Sequence, residues 1–299
     1  MTGPAGGEDC FRLVALGDSI TVGVGDTVGP DAVHGPGWAA HLAAVLGVDE
    51  FTNLATNGAR SRDVADTQLD AALALRPRLA TVLVGGNDVL RSDFDARFVL
   101  ADLHRCVGEL CRTGTDVVLV RLPVIGLFEL APRLVRRVMR RRVASINAAV
   151  DEVAASSAAP SSSVGRAETG PSTDRSQGNR PNSIPPGPGR VVVVDAVAAI
   201  APSGAKAWHV DRVHPSPAGH RRLALGVAAE LAGLDPAYVP DAARLPEAPD
   251  PPSARQRLAW LVRAGLPWCV RRGRDFVPGC SAPWCRTCAR SGRSPRAAW

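Results

Sequence analysis

Short, almost continuously apolar segments alternate along this chain with longer segments that have helical spacing. The segments at residues 79–84 and 191–194, which contain TVLV and VVVV, are the clearest apolar ones. Strands that are apolar on both faces are typical of parallel sheets covered by helices on both sides. Helical segments between successive strands favour βαβ units. The sequence therefore predicts an α/β fold with a mainly parallel sheet.

The same pattern predicts five strands and five longer helices. The strands are expected at residues 11–16, 48–54, 79–84, 116–120 and 191–194. The helices are expected at residues 37–46, 62–75, 96–111, 131–155 and 217–231, the last with Ser216 as its N-cap. In open α/β sheets the ligand binds at the carboxyl ends of the strands. The loops that follow the strands are therefore the places to look for chemistry.

Three segments depart from this alternation. Residues 1–10 are predicted to be a flexible N-terminus. Residues 156–189, rich in Ser, Pro, Gly and Asn, are predicted to be a disordered insertion in a domain spanning 11–235. Residues 236–299 are predicted to be a tail, first Pro-rich, then basic with Cys and Trp. Its last fifty residues hold ten Arg and two Asp, so the charge of +6 is concentrated there and the remainder carries −2. The basic balance therefore does not indicate a nucleic-acid partner.

The tail contains four cysteines, Cys269, Cys280, Cys285 and Cys288, of which only the last two have a familiar zinc-ligand spacing. A mobile basic tail without metal is the preferred interpretation. Its mixture of Arg and Trp also fits a weak contact with an anionic membrane surface or packing on the body, and the sequence leaves both open. Neither a secretory signal nor a membrane span is recognised, so we expect a cytoplasmic protein with reduced thiols.

Four small polar blocks lie where predicted strands end or where the last helix begins. They are GDS with Ser19, NLATNG with Gly58, GGND with Asn87, and DRVHP with Asp211 and His214. A serine nucleophile needs a histidine base, and the histidine needs an acceptor that orients its ring. Asp211 and His214, three residues apart, can supply such a pair. The N–H groups of Ser19 and Gly58 and the Asn87 amide are candidate donors to an oxyanion.

These four blocks, in this order, resemble the signature blocks of the SGNH or GDSL hydrolase family over about residues 11–233. The resemblance implies a flavodoxin-like three-layer α/β/α sandwich that hydrolyses small esters, thioesters or acetylated carbohydrates without a metal or organic cofactor. It also implies that Ser19 is the nucleophile, His214 the base and Asp211 the orienting acid. Ser19, Gly58 and Asn87 would form the oxyanion hole. The first block reads GDSI instead of GDSL, a change that should not affect the chemistry.

Structural explanations compete with each of these roles. Ser19 could cap a helix, while Gly58 and Asn87 could serve only as turn residues. His34, which follows Asp31 by three residues, and His209 are the nearest rivals for the base. Asp88 is interpreted as scaffold.

The sequence holds no usable phosphate-binding loop and no α/β-hydrolase elbow. The stretch GVGDTVG has the wrong spacing and too much negative charge to bind phosphate, and the G-x-S-x-G elbow is absent. The arginines between 133 and 142 are expected to form a solvated face over an apolar stripe of Leu134, Val135, Val138 and Ile146. A non-catalytic acyl- or sugar-binding module is the alternative function. The sequence leaves the acyl group, the alcohol and the oligomeric state open.

Overall fold

The protein is built around a five-stranded parallel sheet with the strand order β2-β1-β3-β4-β5. The computed structural model describes residues 10–27, 34–126, 128, 131–158, 187–250, 253–265 and 267, and every structural statement below concerns these residues. The strands are β1 (Arg12–Gly17), β2 (Glu50–Asn53), β3 (Leu79–Leu83), β4 (Asp116–Arg121) and β5 (Val191–Asp195). Strand β2 lies on one side of β1, and β3, β4 and β5 follow on the other side. In flavodoxin-like sheets ligands bind at this switch in strand order, between β1 and β3.

Helices cover both faces of the sheet. They are α1 (Ser19–Val22), α2 (Gly37–Leu46), α3 (Ser61–Asp63), α4 (Leu69–Leu75), α5 (Ala96–Arg112), α6 (Arg133–Ala158), α7 (Ala196–Ile200), α8 (Pro217–Leu234) and α9 (Ala254–Trp260). Helices α2 and α8 pack together in one layer, and α5 and α6 pack together in the other. The three-layer α/β/α sandwich is thus the observed fold. None of the described helices is long and apolar enough to cross a membrane.

The predicted strands and long helices are confirmed, with small shifts at their ends. The strand predicted at 48–54 is shorter, because Gly47 ends α2 in the left-handed conformation and the Val48 N–H still bonds to the Ala43 carbonyl. The helix predicted at 62–75 contains a π-helical turn, Val64–Gln68, between α3 and α4. Ser216 caps α8 as expected, since its hydroxyl accepts from the Gly219 N–H at 3.1 Å.

The apolar stripe of α6 overlaps the predicted one only in part: Ile146 is buried and Val135 packs against the core, but the buried face lies further along the helix. Its buried side chains are Met139, Val143, Ile146, Ala149, Val150 and Val153. Leu134 is 71% exposed, because the first turn of α6 extends beyond the core. Arg142 is also not part of a solvated face. Its guanidinium donates to the carbonyls of Val89 and Arg91 at 2.8 and 2.7 Å, and so ties α6 to the loop after β3.

Chain segments near two predicted domain boundaries remain ordered. Helix α6 continues to Ala158, beyond the predicted start of the insertion, while residues 159–186 lie outside the described residues. Tyr238 is buried, and its hydroxyl donates to Asp116 Oδ2 at 2.8 Å. The Asp241 N–H bonds to the Val45 carbonyl at 2.9 Å. The packed body therefore extends past residue 235. The four tail cysteines, like residues 1–9, lie outside the described residues.

Candidate active site

Ser19, His214 and Asp211 form a continuous hydrogen-bonded chain. Ser19 Oγ lies 2.8 Å from His214 Nε2, and His214 Nδ1 lies 2.8 Å from Asp211 Oδ2. A carboxylate can only accept, so the proton of the neutral imidazole belongs on Nδ1. Nε2 is then a free acceptor for the serine hydroxyl. This is the arrangement that lets a histidine remove a proton from serine.

Asp211 is held in its ionised form. Burial by itself would raise the pKa of Asp211, but interactions with His209 and His214 outweigh it and hold that pKa well below its usual value. The second carboxylate oxygen, Oδ1, accepts the backbone N–H groups of Val213 and His214 at 2.8 and 3.0 Å. The three-residue spacing between Asp211 and His214 therefore lets one carboxylate orient the imidazole and also hold the backbone turn that carries it.

The rival histidines occupy other positions. His209 Nδ1 is 3.2 Å from Asp211 Oδ2 but lacks the alignment of a hydrogen bond, whereas the Ser19 hydroxyl is bonded to His214. His34 is exposed and pairs through its backbone with Val24. Of the histidines, His214 is the one that the structure brings to the serine.

The end of β1 is shaped to present Ser19. Gly17 has a φ of +154°, and a Cβ at that position would lie 2.4 Å from the Leu83 carbonyl oxygen, so no other residue fits there. Asp18 then caps α1, because its carboxylate accepts from the Ile20 N–H at 3.1 Å. Ser19 is the first residue of that helix. Strand β1 thus ends in a turn that directs the hydroxyl toward the sheet edge.

Gln68 supports this turn and was not recognised in the sequence. Its side chain lies in the π-helical turn, where it accepts from the Gly17 N–H at 2.8 Å and donates to the Gly17 carbonyl at 3.0 Å. Gln68 is buried, and its two bonds satisfy both the N–H and the carbonyl of Gly17, the residue just before Asp18 and Ser19. The sequence predicts an unbroken helix over residues 62–75, and the π-helical turn that carries Gln68 appears only in the structure.

The proposed oxyanion donors lie around Ser19. The Asn87 amide nitrogen donates to the Ala59 carbonyl at 3.1 Å and lies 3.4 Å from Asp18 Oδ2, which together orient it. Burial raises the pKa of Asp18 to about 6. Gly58 adopts a φ of +78°, and a Cβ built there would have no heavy atom within 4 Å. Asn87, Gly58 and Ser19 all line one cavity.

Asp88 serves as scaffold, as expected. Its carboxylate accepts from the Ser61 N–H at 3.1 Å and from Arg60 Nε at 3.4 Å. These bonds fasten the loop after β3 to the start of α3, and the neighbouring Asn87 is held in place with it.

The cavity beside the triad has a volume of about 380 Å³. Apart from the triad and the oxyanion candidates, its walls are mostly apolar. They include Val89, Leu90, Leu122, Ile125, Val143, Val213 and Trp260. Trp260 comes from the end of α9, in the segment predicted to be a tail. No local pattern could have placed this residue at the site, because its position depends on how the C-terminal segment packs.

A Ser–His–Asp triad at the carboxyl edge of a parallel sheet, beside an apolar cavity, defines the class of serine hydrolases that act on acyl groups. Residues 15–222 match the GDSL-like Lipase/Acylhydrolase family. This match covers more than half of the chain, and the protein belongs to that family.

Several solved structures align with this chain at low sequence identity. The acetylxylan esterase Axe2 from Geobacillus stearothermophilus is 22% identical, with 74% of this chain and 94% of that chain covered and a TM-score of 0.49. A variant of the same esterase gives a TM-score of 0.50 at the same identity and coverage. TesA is 21% identical over 75% of this chain and 99% of its own, with a TM-score of 0.49. A comparison with curated proteins found no significant match.

Proposed function

We propose that this GDSL-family hydrolase cleaves small carboxylic esters through an acyl-enzyme on Ser19. The observation that carries the proposal is the pair of 2.8 Å contacts that join Ser19 to His214 and His214 to Asp211 at the wall of a cavity. A serine that served only to cap α1 would not need these contacts. The cap of α1 is in fact supplied by Asp18.

The chemistry proceeds in two steps. Ser19 Oγ attacks the acyl carbon while His214 Nε2 takes its proton, and the proton then passes to the departing alcohol. Water, activated by the same nitrogen, next attacks the acyl-enzyme and releases the acid. The ionised Asp211 stabilises the imidazolium that forms in each step.

The charge that develops on the carbonyl oxygen needs donors that are already in place. We assign this role to the N–H groups of Ser19 and Gly58 and to Asn87 Nδ2. Loss of one such donor typically costs about 3–4 kcal/mol of transition-state stabilisation. The bond of Asn87 Nδ2 to the Ala59 carbonyl supports this assignment, because it orients the amide before the substrate arrives. The second N–H, now in a longer 3.4 Å contact with Asp18 Oδ2, is the one that would turn to the oxyanion.

The size of the cavity favours small acyl groups. Its volume of about 380 Å³ is near the lower end for small-molecule sites. The apolar walls suit a short hydrocarbon chain. We therefore expect activity to fall along a series of p-nitrophenyl esters as the acyl chain lengthens beyond what this volume holds. Acetylated sugars and acyl-CoA thioesters belong in the same panel, because the triad chemistry would serve them equally.

The cytoplasmic location expected from the sequence stays a prediction.

The direct test is hydrolysis of p-nitrophenyl acetate by the wild type and by Ser19→Ala. The proposal requires turnover by the wild type and a loss of at least about a thousandfold in kcat/KM in the variant. Equal turnover by both proteins would refute it. A fluorophosphonate probe provides a second readout, since it should label the wild type and not Ser19→Ala. If the wild type binds ester without turnover and is not labelled, the chain is a binding module on a hydrolase fold.

A further inference from the structure

The walls of the catalytic cavity come from both helical layers. Val143 lies on α6, and Val89 lies in the loop after β3, where its carbonyl accepts from Arg142 of the same helix. His214 and Val213 lie in the loop that leads into α8, which packs with α2 in the other layer. One wall is therefore next to the base, and another belongs to the opposite layer.

The chemistry of the triad distinguishes these two walls. When the acyl-enzyme forms, the bond between the acyl carbon and the alcohol oxygen breaks, and that oxygen takes its proton from His214 Nε2. The alcohol must therefore lie on the side of the cavity next to His214. The carbonyl oxygen is directed to the assigned donors, Gly58 and Asn87. The acyl group is left with the wall formed by Val89 and Val143.

Trp260 lies on the alcohol side. It lines the catalytic cavity together with His214 and Val213. It also lines a smaller neighbouring cavity of about 290 Å³, whose other walls are residues 210–212, α9 and the turn that follows α9. Among the described residues that line this neighbouring cavity, none comes from α6 or from the loop after β3. The indole is thus placed against the loop that carries the base.

The structure holds α9 and its indole in this position. Ser253 and Gln256 form a capping box at the start of α9, with the Ser253 N–H donating to Gln256 Oε1 at 2.7 Å. Just after the helix, Leu261 packs against the core. Gly265 lies close against the ring, since a Cβ at this position would be 2.7 Å from Trp260 Cζ3. Trp260 is therefore a wall supported from behind.

We propose that Trp260 determines which alcohols this enzyme releases, and that the favoured leaving group is an apolar alcohol with an aromatic ring. The indole and Val213 offer apolar surface on the side where the alcohol departs. Aromatic rings gain from offset or edge-to-face contact with an indole in addition to the area that they bury. The inference rests on the proposed ester hydrolysis and specifies the alcohol part of the substrate.

Competition between two esters in one solution tests this role, because the ratio of their kcat/KM values does not depend on how much enzyme is folded. The alcohol pair is benzyl acetate and ethyl acetate, which share the acyl group. The acyl pair is ethyl butyrate and ethyl acetate, which share the alcohol. Both ratios are measured for the wild type, Trp260→Ala, Trp260→Phe and Val262→Ala. Val262 is the matched control, because it is exposed in the same segment and lines neither cavity.

We expect the wild type to prefer benzyl acetate, and Trp260→Ala to lower that preference by about tenfold, as for a lost apolar contact in a specificity pocket. Trp260→Phe, which keeps an aromatic ring, should retain most of the preference. The acyl-pair ratio should be the same in Trp260→Ala as in the wild type, and Val262→Ala should match the wild type in both ratios. Val143→Ala, in the acyl wall, should change the acyl-pair ratio and leave the alcohol-pair ratio unchanged.

An alcohol-pair ratio that Trp260→Ala leaves unchanged overturns this inference, and so does a change in the acyl-pair ratio of equal size. Hydrolysis of p-nitrophenyl acetate by a wild type that does not accept benzyl acetate, or that prefers ethyl acetate, also overturns it while the proposed function stands. If the wild type hydrolyses neither p-nitrophenyl acetate nor any of these three esters, the proposed function fails instead.

Discussion

Two Asp–His groups lie within one structure and have different surroundings. At the cavity, Asp211 holds His214 against Ser19. In the interior, Asp26 Oδ2 lies 2.7 Å from His41 Nε2, and Asp26 Oδ1 accepts from Arg221 at 3.1 Å. Asp26 is completely buried, and it also accepts the Gly37 N–H. The first group faces a cavity and a hydroxyl, whereas every partner of the second is another part of the fold.

His220 completes the interior group. Its Nδ1 accepts from the Trp38 N–H at 3.1 Å, and its Nε2 donates to the Val24 carbonyl at 3.0 Å. Burial lowers the pKa of His220 to about 4, so this ring is neutral at physiological pH. Residue types alone therefore do not separate catalysis from support. The group that donates to the free histidine nitrogen does. His214 Nε2 meets the Ser19 hydroxyl, which becomes a nucleophile when it loses its proton, whereas His220 Nδ1 meets a backbone amide.

The largest expected effect is on the cavity pair. Asp211→Asn should lower kcat by about 10³- to 10⁴-fold, because an amide at this position favours the wrong imidazole tautomer. The circular dichroism spectrum and the unfolding midpoint in urea should show that the variant is folded. A kcat within tenfold of the wild type would show that Asp211 does not orient the base.

The interior pair should respond in the opposite way. Asp26→Ala leaves Arg221 and His41 buried without their carboxylate and should cost about 3–5 kcal/mol in the free energy of unfolding. Activity per folded molecule should fall far less than in Asp211→Asn. Urea denaturation together with active-site titration by a fluorophosphonate separates the two quantities. A stable but inactive Asp26→Ala protein would contradict the distinction between the two groups.

The interior group should also make stability depend on pH. The folded-state pKa of His220 is about 4 and the ordinary value is 6.5, so between these values the unfolded chain binds the extra proton. Stability from this histidine is therefore full above about pH 6.5 and declines as the pH falls toward 4, by up to about 3 kcal/mol.

Urea titrations between pH 7 and pH 4 measure this dependence. His220→Gln, which cannot be protonated, is the comparison that isolates the histidine from the carboxylates. The difference in unfolding free energy between wild type and variant should shrink on acidification. A constant difference would mean that His220 is not protonated on unfolding.

The smallest effect is expected at the second histidine near Asp211. His209 lies 3.2 Å from the carboxylate without an aligned hydrogen bond. His209→Gln should lower kcat/KM by no more than about fivefold, the size of a partly exposed electrostatic contact. Steady-state kinetics with p-nitrophenyl acetate measure it. A loss comparable to that of His214→Ala would transfer the role of base to His209.

The sequence predicted most of the fold because its information is local. Apolar strands and helical spacing located β1 to β5 and the long helices, since burial on both faces leaves a recognisable pattern. The four strand-end blocks also predicted the residues that the structure gathers at one cavity. Gln68 and Trp260 were missed because their roles depend on contacts with chain segments far away, for which neighbouring residues carry no signal.

The sequence by itself determined the α/β class, the positions of the elements and the chemical groups at the strand ends, because these follow from patterns within a few residues. Only the tertiary structure decided which aspartate and histidine meet the serine, since Ser19 and His214 are 195 positions apart and the order of the strands brings them together. It also decided that the C-terminal segment packs on the domain, where Trp260 lines the cavity at the site. That packing depends on the shape of a surface that forms only when the whole sheet is assembled.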